Sequence, residues 1–327
     1  MLIDNHNRVI NYLRLAVTDR CNLRCNYCMP SEGIDFSGSN ELLSISELIR
    51  TSEMMVREGI DKIRITGGEP FVRKDLPLLL KSLSKNKDLK EISITTNGTL
   101  IGRHLPLLKE LRIDHINLSM DAIEAETFNK ITRRETFATV YENLLRMLDM
   151  GFKVKINCIV LDGQNIDQIY PMLELTRNYD VSVRFLEEMP FNGGSRQFDT
   201  IRWNYKEILS YISQAYPEYE RLPAPATSTA MNYGIPGFKG SFGIIPSFSR
   251  TFCGSCNRLR ISATGDLITC LYGKPRINIR QLLRDGSDDQ SIAGHIRGAL
   301  HTRSKTGFEE QQRYKGVFDN SMTSIGG

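Results

Sequence analysis

Six short β-rich runs, each followed by an amphipathic stretch, occupy the chain from residue 12 to about 190. The runs are YLRLAVT (12–18), DKIRIT (61–66), EISITT (91–96), IDHINLS (113–119), FKVKINCIVL (152–161) and VSVRFLE (181–187). Between them lie stretches at 46–58, 75–85, 102–111, 137–150 and 166–178. In 137–150, apolar Val140, Leu144, Leu145 and Leu148 recur at helical spacing. Strands separated by helices run parallel, because the chain must cross back over the sheet before each new strand, and such crossovers are right-handed. Two closures satisfy this pattern, an open doubly wound sheet or a full or partial barrel. In both, ligands bind beyond the carboxyl ends of the strands.

After Met189 the pattern changes. PFNGGSRQF reads as a loop, followed by a helix near 203–215 and a Pro-rich connector, RLPAPATS (221–228). Short turn-rich β patterns follow at 229–248, and two short helical stretches lie near 278–285 and 288–301. A boundary near 195 divides the chain into an N-terminal domain (1–195) and a C-terminal domain (196–327). The closing DNSMTSIGG reads as a tail.

With 40% hydrophobic residues, the 327-residue chain can bury a full core without disulfides. The net charge of +4 is no signature of nucleic-acid binding, but it leaves room for a basic pocket around an anionic substrate. The first residues lack the basic start and apolar run of a signal peptide. No stretch approaches the roughly 20 apolar residues of a membrane span. A cytoplasmic protein with reduced thiols is expected.

In that setting, close-spaced cysteines point to metal or redox chemistry. Three of the seven sit at 21, 25 and 28, and three more at 253, 256 and 270. Cys158 stands alone in KINCIVL and reads as a small buried residue. The first group, TDRCNLRCNYCMP, follows the first strand directly, so its thiols occupy a loop at a carboxyl end. A four-iron cube needs one ligand per iron, and three thiolates leave the fourth iron open to an external ligand. The rival is a zinc site lacking its fourth ligand. Structural zinc normally closes with four, and His104, His115, His295 and His301 are not spaced as partners. After the second strand comes ITGGEP (65–70), where two glycines let the backbone approach a ligand closely. The second group, FCGSCNRLRISATGDLITC, again offers three thiols and no evident fourth, which leaves a zinc-ribbon-like site open. Arg258 and Arg260 alternate, so on a strand they face one side, as a solvated pair or as donors to a polar substrate.

C-x3-C-x2-C with an aromatic residue before the last cysteine (Tyr27), in register with the Gly-Gly-Glu-Pro turn, resembles the radical S-adenosylmethionine (SAM) superfamily over residues 12–190. The resemblance implies a partial (β/α)6 barrel of TIM-like form. It further implies a [4Fe–4S] cluster whose open iron chelates SAM, and splitting of SAM by one electron to a 5′-deoxyadenosyl radical. The C-terminal C-x2-C-x-R-x-R-x9-C and the Gly-Gly end extend the resemblance, end to end, to the GTP 3′,8-cyclase family of molybdenum cofactor biosynthesis.

That family likeness implies two [4Fe–4S] clusters, on Cys21, Cys25 and Cys28 and on Cys253, Cys256 and Cys270. It assigns SAM contacts to Tyr27, Gly68, Ser119 and Met189, and GTP contacts to Arg14, Arg64, Thr95, Lys155, Arg258 and Arg260. Catalytic roles fall to Arg258, Arg260, Gly326 and Gly327, the tail entering the active site. The implied partners are GTP, an external one-electron donor and a downstream cyclic pyranopterin monophosphate synthase, with a homodimer open to it and neither nucleic acid nor membrane. Arg14, Arg64 and Lys155 each interrupt a strand, where a charged residue ordinarily faces solvent on an edge. In a barrel, inward cations near strand ends converge on one cavity and suit a triphosphate. Two alternatives remain: a radical SAM peptide modifier with an auxiliary cluster, though such proteins usually carry more C-terminal cysteines, and a zinc-dependent binding module.

Overall fold

Alternation within the strands sorts the residues into two layers. The strands are Tyr12–Ala16 (β1), Lys62–Thr66 (β2), Glu91–Thr96 (β3), His115–Ser119 (β4), Lys153–Val160 (β5) and Ser182–Glu187 (β6). Leu13, Leu15, Ile63, Ile65, Ile94, Ile116, Leu118, Ile156, Val183 and Phe185 are buried in the main apolar core. Their neighbours in sequence, such as Arg14, Arg64, Thr95, Asn157 and Arg184, turn to the opposite face and line a cavity. The computed structural model describes residues 1–30, 32–191, 200–314 and 321–325.

All six strands pair in parallel in chain order, as a (β/α)6 partial barrel requires. Two further strands join the same sheet. Ser241–Ile245 (β7) pairs in parallel with β6, and Arg258–Ile261 (β8) pairs in parallel with β1. Short antiparallel strands then flank each edge, Met231–Gly234 and Glu220–Arg221 beyond β7, and Asp266–Ile268 and Ile277–Asn278 beyond β8. Residues on both sides of position 195 therefore share one sheet. A helix at 205–215 separates β6 from β7, but two short antiparallel strands intervene as well, and only a 3-10 turn precedes β8, so the simple strand–helix alternation of β2 to β6 does not announce these two parallel strands.

The helices fall close to their expected places. Ile45–Arg57 (α1) opens with a capping box, in which Ser44 Oγ accepts from Glu47 N at 3.3 Å and Glu47 Oε2 accepts from Ser44 N at 2.7 Å. Leu76–Ser84 (α2), Phe137–Asp149 (α5) and Ile169–Asn178 (α6) match the amphipathic stretches. Leu105–Glu110 (α3) is shorter than expected, because residues 101–104 wind as a 3-10 turn. Ala125–Thr132 (α4), short and largely polar, escapes the sequence reading. Tyr205–Ala215 (α7), Ile279–Arg284 (α8) and Asp289–Leu300 (α9) follow as expected, and Gly307–Arg313 (α10) is additional.

The closing segment does more than trail away. Met322–Ile325 (α11) is helical, and the Ser321 hydroxyl donates to the Cys28 carbonyl oxygen at 2.8 Å. Gly326 and Gly327 lie outside the described residues. No helix among the described residues is long and apolar enough to cross a membrane.

Candidate active site

The carboxyl ends of the parallel strands surround one cavity of about 320 Å³. Its wall carries Cys21, Cys25 and Cys28 together with Cys253, Cys256 and Cys270. All six are free thiols, and Cys158 is buried in the core of β5. Among the described residues, no three His, Cys, Asp or Glu side chains gather tightly enough to hold a single metal ion. Each cysteine group offers three thiols, one fewer than structural zinc normally uses and the number that leaves one iron of a cube open.

The glycine pair after β2 is locked to the first cysteine loop. Gly67 has φ +147°, and a Cβ on it would stand 2.3 Å from the Thr18 carbonyl oxygen. A Cβ on Gly68 would stand 2.3 Å from the Arg20 carbonyl oxygen. The close approach expected of these glycines is thus to the protein's own backbone. Gly68 N donates to Thr18 O and Glu69 N to Arg20 O, both at 2.8 Å. The Glu69 side chain then faces inward, accepting from Asn97 N at 2.7 Å, Thr96 Oγ1 at 2.9 Å and Phe71 N at 3.1 Å. Burial raises its carboxyl to about 7.

Tyr27, Gly68, Ser119 and Met189 all line the cavity. The Tyr27 hydroxyl donates to Asp121 Oδ2 at 2.9 Å, and Asp121 Oδ1 accepts from Ile159 N at 2.8 Å. Burial lifts Asp121 to about 6. Asp121 carries no motif signal in the sequence, since it follows β4 in an irregular turn.

Arginines also crowd the wall. Strand register sets Arg260, Arg14 and Arg64 directly side by side on β8, β1 and β2. Like charges placed opposite one another destabilise a sheet. Arg14, Arg64, Arg184 and Arg258 each keep a buried Nε without a partner. Burial, followed by Arg260 and Arg64, holds Arg14 well below the usual arginine value. Burial and then Arg258 lower Arg260 to about 10, and burial and then Arg64 lower Arg184 to about 10. Nearby Lys62 is already paired with Glu91 at 2.8 Å. The set is built to receive an anion.

Thr95 also lines this wall, with its hydroxyl unpartnered. Lys155 does not reach the wall. It sits two residues before Asn157, which does, and is aligned with Asn117 and Ser182. Burial and then Arg184 lower it to about 8. Arg184, paired in register with Asn157, takes a wall position on β6 that the sequence reading missed. Its signal is the one Arg14 and Arg64 give, a lone cation at an inward strand position.

The two cysteine groups differ in their neighbours. Burial raises the Cys21 thiol to about 12 and the Cys270 thiol to about 11, and drives Cys25 well upward. Burial would raise Cys256 too, but Arg258 and Arg303 outweigh it and bring that thiol down to about 7.

Against known proteins, residues 15–176 match the radical SAM superfamily and residues 181–309 match Molybdenum Cofactor Synthesis C. The chain is 39% identical over 334 residues to the mitochondrial GTP 3′,8-cyclase of Arabidopsis thaliana, covering 100% of this chain and 84% of that protein. It is 38% identical over 298 residues to the GTP 3′,8-cyclase of Syntrophomonas wolfei subsp. wolfei, covering 89% and 90%. The chain belongs to the GTP 3′,8-cyclase family of radical SAM proteins.

Members of that family also occur within longer chains. Molybdenum cofactor biosynthesis protein 1 of Dictyostelium discoideum is 41% identical over 310 residues, and the chain spans 48% of its length. Streptococcus suis SuiB, solved with a precursor peptide, shares the fold at a TM-score of 0.62 and 15% identity, covering 89% of this chain and 68% of that one. Radical SAM proteins use a [4Fe–4S] cluster and SAM, which suits the first cysteine group and the glycine turn beside it.

Proposed function

We propose that this chain converts GTP into 3′,8-cyclo-7,8-dihydro-GTP, the first step of molybdenum cofactor biosynthesis. The observation that carries the reading is the meeting, around one cavity, of two three-cysteine groups and a row of arginines set side by side by strand register. Held by Cys21, Cys25 and Cys28, the first cluster with SAM would supply a hydrogen-abstracting carbon radical for the ribose 3′-carbon, and the second, held by Cys253, Cys256 and Cys270, would offer an open iron to the guanine edge.

The chain's own residues bind, orient and shield. Arg14, Arg64, Arg184, Arg258 and Arg260 draw in a triphosphate of about four negative charges and a guanine, with Thr95 as a neutral partner and Lys155 adding charge from beneath. Tyr27, Gly68, Ser119 and Met189 hold SAM, with Asp121 fixing the tyrosine. Cys21, Cys25 and Cys28 hold the first cluster, and Cys253, Cys256 and Cys270 the second. Arg258 and Arg260 act beside the reacting base together with Gly326 and Gly327. The cavity excludes water from the radical. A cytoplasmic site, an external one-electron donor, delivery to a cyclic pyranopterin monophosphate synthase and homodimer formation complete the proposal. A peptide-modifying role is not favoured, because residues 181–309 match Molybdenum Cofactor Synthesis C and likeness to SuiB extends to fold alone.

Anaerobic reconstitution followed by product analysis with SAM and GTP tests the reading. Two cubes require about eight irons per chain, with cyclised nucleotide as the product. Replacing Cys21, Cys25 and Cys28 together should halve the iron and abolish SAM cleavage. Bound zinc without acid-labile sulfide, or SAM cleavage that survives the replacement, would overturn it.

A further inference from the structure

Outside the residues already given roles, one guanidinium bonds directly to a cysteine sulfur. Arg303 lies between α9 and α10 and is 3% exposed. Its Nη2 donates to Cys256 Sγ at 2.9 Å and to the Arg258 carbonyl oxygen at 3.3 Å. Its Nη1 donates to the Cys256 carbonyl oxygen and to Asp4 Oδ2, both at 3.2 Å. The side chain is held on four acceptors, two of them belonging to one cysteine.

The network begins at the opposite end of the chain. Asp4 lies in the turn between the paired strands Leu2–Ile3 and Val9–Ile10. The same Asp4 oxygen that meets Arg303 also accepts from Arg8 Nε at 2.6 Å. Arg8 in turn donates through Nη1 to the Cys253 carbonyl oxygen at 2.9 Å. One carboxylate therefore serves two guanidiniums, leaving net positive charge fixed against the second cysteine group. Among the described residues, the hydrogen-bond partners of the first group's sulfurs are uncharged, and the side-chain charges that act on those sulfurs from outside the group are the carboxylates of Glu69 and Asp121. Asn97 Nδ2 is 3.7 Å from Cys21 Sγ, and Ser321 Oγ is 3.6 Å from Cys28 Sγ.

We propose that Arg303 is a positioning residue for the second cluster, donating to the Cys256 sulfur and raising that cluster's reduction potential. This rests on the reading that Cys253, Cys256 and Cys270 hold a cluster. Reduction adds negative charge to a cube, so a fixed cationic donor on a ligand sulfur favours the reduced form. Burial keeps the charge from being screened.

The test is a redox titration of the full-length, anaerobically reconstituted protein, followed by electron paramagnetic resonance. SAM is added to mark the signal of the first cluster. Arg303→Met and Arg303→Gln should each retain wild-type iron and lower the midpoint of the second cluster alone. An unmoved second midpoint, or an equal shift in both clusters, overturns the proposal. Should Arg303→Met fail to assemble the second cluster, the midpoint of Arg303→Gln decides by the same two outcomes. A wild-type protein holding only about four irons would instead remove the second cluster itself, and the role of Arg303 with it.

Discussion

Replacing Gly68 by alanine tests how firmly the glycine turn couples β2 to the first cysteine loop. The new Cβ would stand 2.3 Å from the Arg20 carbonyl oxygen, 2.6 Å from the Arg20 carbonyl carbon and 2.7 Å from the Asp19 carbonyl oxygen. All three are backbone atoms, so no change of rotamer relieves the overlap. The two segments must separate, which breaks the 2.8 Å bonds from Gly68 N to Thr18 O and from Glu69 N to Arg20 O. Each bond contributes about 1 kcal/mol, and overpacking adds about 1–3 kcal/mol. The expected loss is about 3–5 kcal/mol, a large part of the roughly 5–15 kcal/mol that keeps a domain folded. Displacement falls on the loop that carries Cys21, so the first cluster should be lost before the second. The assay is a urea unfolding midpoint together with iron content after reconstitution. Gly294→Ala is the control, since its Cβ would meet open space within α9, and it should stabilise by about 0.5–1 kcal/mol. Gly68→Ala protein with the wild-type midpoint and full iron would refute the reasoning.

Arg64→Ala and Lys155→Ala should each weaken GTP binding far more than SAM binding by calorimetry; equal losses would mean these side chains do not serve the triphosphate. Because burial and then Arg184 lower Lys155 to about 8, its charge is present below that pH and lost above it. GTP affinity should therefore fall from pH 7 to pH 9, and Lys155→Met should flatten the profile. Glu69 has its folded-state value raised to about 7 from an ordinary 4.5, so the native protein binds more protons between those values. Stability should then decline as pH rises across that window, and Glu69→Gln should remove the decline in unfolding experiments. Deleting Gly326 and Gly327 should spare both clusters and SAM binding yet abolish cyclised product, while deoxyadenosine still forms slowly; cyclisation at the full-length rate would make the tail an ordinary terminus.

Much of the barrel is legible in the sequence because its signals are local. Alternation in KIRIT or SVRFLE reports one buried and one polar face within a few residues. Helix α4 is hard to read because eight residues, five of them polar, leave little more than Phe128 and Ile131 as apolar markers of its buried face. The cysteine spacings and the glycine turn carry chemistry within short segments, so their meaning survives without coordinates. The purpose of the glycines does not, since what their missing Cβ atoms would strike is a loop some fifty residues earlier.

By itself, then, the sequence determined six parallel strands, the two three-thiol groups and the lone strand cations at Arg14 and Arg64, while the choice of a barrel came from the family resemblance. Only the tertiary structure decided that the second cysteine group lines the same cavity as the first, because β8 pairs with β1 across about 240 residues without any periodic cue. It also placed Arg184 on the wall and Lys155 beneath it, since strand register fixes depth in a barrel and no single strand reveals its register. The bond from Arg303 to Asp4 joins residues 299 positions apart. Neither residue belongs to a local pattern. Arg303 is held beside Cys256, with Asp4 as its counter-charge, because a buried charge is stable only where the fold brings it partners.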